Sequence, residues 1–245
     1  CYTICSMFCR WVHNKQRVKE GMNIQTNTTH TATLLYELQQ LLIQIQACSG
    51  SDSKAMQESV SLLSHHGLQL LHYALFAIES QQSSLPFTSV GAGATVHEVM
   101  QELQPLAAAY GATITFDASP NLDPVYTNKT SLKGSIYGLL AGVITGSTNG
   151  VAPHITVAVQ QTKPMAQRIG VYSSTTPLDS AVFTQKHATK PARMGYATVS
   201  HRSGLGFLVS QILTERLQTQ YTPFAHKTMP GVGFYLPESA QLQLV

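Results

Sequence analysis

The residues best placed to do chemistry are a glycine turn and a set of histidines. Ser203-Gly204-Leu205-Gly206 runs directly into an amphipathic helix carrying Phe207, Leu208, Ile212, Leu213 and Leu217. A turn of this kind aims backbone N–H groups and a helix N-terminus at an anion, so phosphate is the ligand it suits. The same turn before a helix is also common packing chemistry. Lys186, Lys190, Arg193 and Arg202 precede it and read either as an anion-attracting loop or as a solvated basic one. Of the ten histidines, His30, His65, His66 and His72 fall in helical stretches, where a ring nitrogen is either a phosphate acceptor or a packed side chain. His65 and His66 are adjacent and point in different directions on a helix, and no H-x3-H pair marks a metal site. Ser203 has no His and Asp in a hydrolase arrangement around it. Cys1, Cys5 and Cys9 form a C-x3-C-x3-C stripe suited to a metal, an acyl chain or apolar filling, and with Cys48 they show no disulfide framework.

The elements that must position these groups follow from composition and periodicity. A chain of 245 residues with 43% hydrophobic content is long enough for one or two domains with a sizeable core. Charged residues make up only 11%, and Gln, Ser and Thr take their place; a scattered net charge of +3 argues against a nucleic-acid partner. The first residues, CYTICSMFC, are apolar and lead into Trp11 and the cations Arg10, Lys15, Arg17 and Lys19. That is the pattern of the cytoplasmic end of a membrane span, although a full span needs about 20 residues. Residues 1–20 are therefore expected to be the end of a transmembrane helix and its juxtamembrane segment, at the cytoplasmic face of the inner membrane. A terminal remnant or a short interfacial segment is the alternative.

Two helices come next. Leu34, Leu38, Leu41 and Ile45 step by four, three and four within residues 30–47, and a Ser/Gly turn follows at 48–53. Met56, Val60, Leu63, Gly67, Leu70, Ala74 and Ala77 carry the same alternation along residues 54–82. Residues 29–83 are thus expected to be an antiparallel hairpin that completes a four-helix bundle by homodimerisation, since one hairpin has too little core alone. Residues 84–94 (SLPFTSVGAGA) read as a linker. Residues 95–240 then read as helix (95–110, with Gly111 at its end), strand (ATITFDAS), short strand, helix (128–147), two strands (HITVAVQ, RIGVYSS), the glycine turn with its helix, and a last strand, GVGFYLP. In the 128–147 helix, Leu132, Ile136, Leu139, Leu140 and Val143 predict one buried face.

That order resembles the core of sensor histidine kinases, a helical dimerisation hairpin followed by an ATPase-type α/β sandwich, an α+β fold overall. The resemblance covers about residues 29–237. Family members carry a heptapeptide like H-E-L-R-T-P-L in the first hairpin helix; here it is Tyr36-Glu37-Leu38-Gln39-Gln40-Leu41-Leu42, with Tyr36 at the phosphoacceptor position and His30 the alternative acceptor. A phenol cannot form the phosphoramidate that an imidazole forms. The family helix that reads like N-L-L-S-N-A is Gly138-Leu139-Leu140-Ala141-Gly142-Val143 here, so both nucleotide-site asparagines are glycine. Where the family has D-x-G-x-G, this chain has Ser173, Thr175 and Pro177. Phe183 stands near the family's lid phenylalanine, residues 187–201 correspond to the lid, and Ser203, Gly204 and Gly206 retain its last glycine turn.

The resemblance implies a degenerate, membrane-tethered homodimeric signalling protein without autophosphorylation or a required cofactor. Its partner would be a response-regulator receiver domain or another sensor kinase. Two alternatives stay open: an ATP-independent histidine phosphotransferase, and a divergent kinase that uses ATP and Mg²⁺ with compensating ligands such as Asn149 or Asp179.

Overall fold

The computed structural model describes residues 54–80, 85–146, 153–162, 166–174 and 205–239. Helix α1 spans Lys54–Glu79. Strand β1 (Thr88–Val90) falls within the stretch expected as linker and pairs antiparallel with β3 (Val125–Thr127), setting Val90 opposite Val125. Between them lie α2 (Ala92–Ala109) and β2 (Thr113–Ala118). Gly111, at φ 66°, takes the left-handed turn just past the end of α2, and the Ala112 N–H closes onto the Ala107 carbonyl at 2.8 Å. Then follow α3 (Lys129–Thr145), β4 (His154–Thr162), β5 (Ala166–Ser173), α4 (Leu205–Arg216), β6 (Thr222–His226) and β7 (Met229–Pro237).

Five strands form one sheet in the order β2-β4-β5-β7-β6, with β2 parallel to β4 and every other neighbour antiparallel. Register turns the alternation of the strands into a continuous apolar layer. Val157 lies opposite Val171, and Val171 opposite Val232; Val159 lies opposite Ile169, and Ile169 opposite Phe234. All six are buried and belong to one core with the helices. The other face is paved with small residues, Ala158 opposite Gly170 and Gly170 opposite Gly233. There the Tyr172 side chain lies over Gly170 and Gly231, where a Cβ would come within 2.4 Å of its hydroxyl and of its ring, respectively.

His226 covers that tyrosine, ring centroids 5.1 Å apart, and ties the two ends of the sheet together. Arg168 donates to the Gln160 side-chain oxygen, Gln160 Nε2 donates to His226 Nδ1 at 3.2 Å, and His226 Nε2 donates to Asp117 at 3.0 Å. Lys227 donates to the same carboxylate at 3.3 Å. The Lys227 and His226 hydrogen bonds hold the Asp117 carboxyl below the usual carboxylate range against its partial desolvation.

Helix α3 starts where Asn128 accepts the Ser131 N–H at 2.9 Å, a side-chain N-cap, while its amide donates to the Pro86 carbonyl at 3.0 Å. The apolar spacing predicts one buried face, but the helix is buried on every side from Gly134 to Ile144. The reason is its second stripe. Gly134, Gly138, Ala141 and Gly142 are small, so neighbouring helices approach closely where larger residues would hold them off. A helix with no polar face belongs at the centre of a layer. Here α2, α4 and α1 all pack against it.

Helix α1 also departs from its expected seam. Leu70, Ala74 and Ala77, expected to face a bundle, are at most 2% exposed and belong to the core shared with α3 and α4. The exposed apolar residues are instead Leu68, Leu75 and Ile78. Among the described residues, no helix is long and apolar enough to cross a membrane. The first hairpin helix, the N-terminal segment and the lid stretch 187–201 lie outside the described residues.

Candidate functional site

Gly138 and Gly142, which the resemblance sets at the family's two asparagines, face the first turns of α4. A Cβ on Gly138 would stand 2.5 Å from the Gly206 carbonyl oxygen and 3.1 Å from Ser210 Cβ and the Ser210 nitrogen. A Cβ on Gly206 would stand 2.6 Å from the Gly138 carbonyl oxygen in return. The two helices therefore touch backbone to backbone at a glycine pair. One turn further along α3, a Cβ on Gly142 would sit 3.0 Å from three carbons of the Phe207 ring. Ser210 fastens the contact: its hydroxyl donates to the Ser135 carbonyl and bonds the Tyr221 hydroxyl, whose pKa burial pushes up to about 12.

This arrangement decides what the face can hold. Gly138 and Gly142 bring no donor atom, and the space beside them is taken by the Gly206 backbone and the Phe207 ring. An asparagine at 138 would have to displace main chain. The residues present on this face of α3 do not fit a magnesium ion. Ser173, which the resemblance sets at the family's aspartate, is a buried hydroxyl at the end of β5 opposite Ile155 and offers no carboxylate. Among the described residues no group of three His, Cys, Asp or Glu side chains is placed to hold a metal.

Of the expected site residues, the structure brings Gly138, Gly142 and Gly206 together and sets Ser173 at a strand end. Tyr36, His30, Thr175, Ser203, Gly204, Phe183, Asn149, Asp179 and the loop cations Lys186, Lys190, Arg193 and Arg202 lie outside the described residues. Among the histidines of α1, His65 and His72 are exposed. His66 is buried, its Nδ1 3.0 Å from the Tyr137 hydroxyl. Burial, with the nearby His65, pulls its pKa down to about 4, so at neutral pH it is an uncharged packing group.

Sequence reasoning missed the cluster around that histidine. Tyr73 of α1 lies against Gly134 of α3, where a Cβ would come within 2.7 Å of its ring and 2.5 Å of Leu213. The Tyr73 and Tyr137 rings are 5.5 Å apart, as are those of His66 and Tyr137. Burial raises the pKa of both tyrosines. Beside them Lys133 reaches Glu98 at 2.7 Å and Glu102 at 2.6 Å, linking α3 to α2. The available signal was the pairing of Gly134 with an aromatic on a neighbouring helix, visible only once the partner helix is known.

No protein-family model matches the chain, and no curated protein matches it. Solved structures do. The Acinetobacter baumannii histidine kinase AdeS is 16% identical with a TM-score of 0.52, over 84% of this chain and 96% of that one. The histidine kinase ThkA, in complex with the response regulator protein TrrA, is 13% identical with a TM-score of 0.54, over 86% of this chain and 61% of that one. Full-length ShkA in complex with AMPPNP is 14% identical with a TM-score of 0.51, over 83% of this chain and 44% of that one. This chain thus spans less than two thirds of the ThkA chain and less than half of ShkA. The expected α+β architecture is the observed one: the chain has the fold of a sensor histidine kinase core with its ATPase-type domain.

Proposed function

We propose that this protein is a degenerate histidine-kinase core that signals through protein contacts and not through ATP chemistry. The observation that carries the reading is the backbone contact of Gly138 with Gly206, with Phe207 packed on Gly142. Loss of two asparagines alone would leave an open pocket to be served by other ligands. Here the glycines are used for helix packing, and the volume next to them is full. Ser173 in place of an aspartate and Tyr36 in place of a histidine agree with that reading.

The partner best supported is a receiver domain, since a kinase of this fold, ThkA, is seen with a response regulator. Homodimerisation is supported by the outward stripe of α1: Leu68, Leu71, Leu75 and Ile78 step by three, four and three, a heptad seam, and Leu68 is 66% exposed. The seam expected in the sequence, Leu70 with Ala74 and Ala77, is used inside the protein, so this second stripe is the one available to a bundle. Tethering at the cytoplasmic face of the inner membrane rests on the apolar and then basic residues 1–20.

The test is incubation of the full chain with Mg²⁺ and ATP labelled on the γ-phosphate, followed by mass spectrometry of the chain. The expected result is no label. Label on His30 or Tyr36 would establish a divergent kinase and overturn the proposal.

A further inference from the structure

We infer that the face of the sheet turned away from the helices is a docking surface for a proline-rich peptide, carried by a strip of rings that runs from Phe87 to Phe224. Register puts the strip together. Ile169, Val171, Val232 and Phe234 point into the helix-covered core, so Arg168 and Tyr235, opposite one another in β5 and β7, point to the other side. Val125 bridges antiparallel to Glu238, just past β7, and is buried in the same core. Its neighbour Tyr126 therefore comes opposite the exposed Pro237, on the side where Tyr235 lies. Ring contacts join these positions. Phe87 and Tyr126 meet edge to face with centroids 5.8 Å apart, and Phe224 and Tyr235 do so at 5.4 Å. The Arg168 guanidinium lies over the Phe224 ring, 4.8 Å from its centroid.

Each tyrosine is packed on one side by a phenylalanine and open on the other: Tyr126 is 47% exposed and Tyr235 41%. Open rings with hydroxyls at the rim are what the centre of a protein interface is made of. The chemistry of the strip narrows its occupant. It carries a single cation, Arg168, where a groove for single-stranded nucleic acid needs a run of them along the backbone. It crosses the sheet and does not follow a free edge, so an added β-strand has no ladder to join. Its polar atoms are donors, two phenol hydroxyls and a guanidinium. A polyproline II segment is the complement: its prolines have no N–H, its carbonyls make no internal hydrogen bonds, and its pyrrolidine rings stack on aromatic faces. The spacing agrees. Tyr126 and Tyr235 are diagonal neighbours across the bridge, about 7–8 Å apart, and the three-residue repeat of polyproline II is about 9 Å. Each ring pair thus takes one proline of a P-x-x-P spacing.

The surface shares no residue with α1 or with the α3–α4 glycine contact, so the inference stands apart from the proposed function. Fluorescence anisotropy of dye-labelled decaproline titrated with the full chain tests it. Saturable binding is expected, weakened at least tenfold by Tyr126→Ala and by Tyr235→Ala. Tyr235→Phe, which keeps the ring, should weaken it less than threefold, and Tyr110→Ala, which removes an exposed ring at the end of α2, should leave it unchanged. No saturable binding up to millimolar chain, or an equal loss in Tyr110→Ala, would overturn the inference. So would tighter binding of labelled decathymidine that Tyr235→Ala abolishes, which would mark a base-stacking surface. A chain that binds no decaproline and whose mass by light scattering falls on Tyr235→Ala would assign the strip to a second copy and overturn it as well. Should Tyr235→Ala fail to fold, Tyr235→Gln, which keeps a long side chain beside Phe224, is read in the same way.

Discussion

Replacing Gly138 by alanine separates two accounts of a glycine in the middle of α3. If the residue is merely what was left when an asparagine was lost, alanine relieves the conformational cost of glycine and should stabilise the helix by about 1 kcal/mol. The geometry says otherwise. The new Cβ would stand 2.5 Å from the Gly206 carbonyl oxygen and 3.1 Å from the Ser210 nitrogen, both main-chain atoms of a packed helix. Neither can swing away as a side-chain end does, so α4 must shift bodily. Overpacking of this kind costs about 1–3 kcal/mol. The helix gain offsets part of it, leaving a net loss of up to about 2 kcal/mol where the other account has a gain. Two companions calibrate the result. Gly142→Ala meets the Phe207 ring first, at 3.0 Å, and should fall near neutrality because a ring can tilt. Gly93→Ala, in α2, meets Leu122 at an ordinary 3.5 Å and should stabilise by a few tenths of a kcal/mol. Urea denaturation of the three variants at constant m-value is the assay. A Gly138→Ala chain as stable as Gly93→Ala would refute the packing argument.

Two further predictions concern α1. His66 has a folded-state pKa lowered from 6.5 to about 4, so between those values the unfolded chain binds the extra proton and the folded chain does not. Its contribution is complete above pH 6.5 and is lost as pH falls toward 4, by about 3 kcal/mol in all; His66→Gln should flatten that part of the stability profile, and an unchanged profile would contradict the assignment. Leu75→Glu places a charge in the outward stripe without touching the core, since Leu75 is 49% exposed. Light scattering should show the mass of the full chain fall from two copies to one, and a monomeric parent chain, or a variant that still dimerises, would contradict the proposed seam.

Much of this fold is legible in the sequence because its strands alternate cleanly and its helices are bounded by recognisable residues. Asn128 at the start of α3, Gly111 at the end of α2 and the alternation of HITVAV and RIGVYS all give local signals with local causes. What escapes is what depends on a partner. Leu132, Ile136 and Leu139 announce one buried face of α3, but the burial of Gly134 and Gly138 comes from Tyr73 and Gly206, 61 and 68 residues away in the chain. Helix α1 carries two apolar stripes at heptad spacing, and nothing local distinguishes the one that docks, Leu70 with Ala74 and Ala77, from the one that stays outside. The short strand β1 was hidden in a Gly- and Pro-rich stretch because its pairing with β3 is only three residues long. The candidate site was legible only through the resemblance, which sets Gly138, Gly142 and Ser173 where the family carries ligands. That the glycines serve a contact is visible only in three dimensions.

If α4 closes the glycine face of α3, nucleotide has no room there. Calorimetric titration of Mg-ATP into the full chain is the most direct test. No saturable heat is expected up to millimolar nucleotide. A saturable isotherm with a micromolar dissociation constant would contradict the closure, because the Phe207 ring and the Gly206 main chain would then have to give way to a ligand.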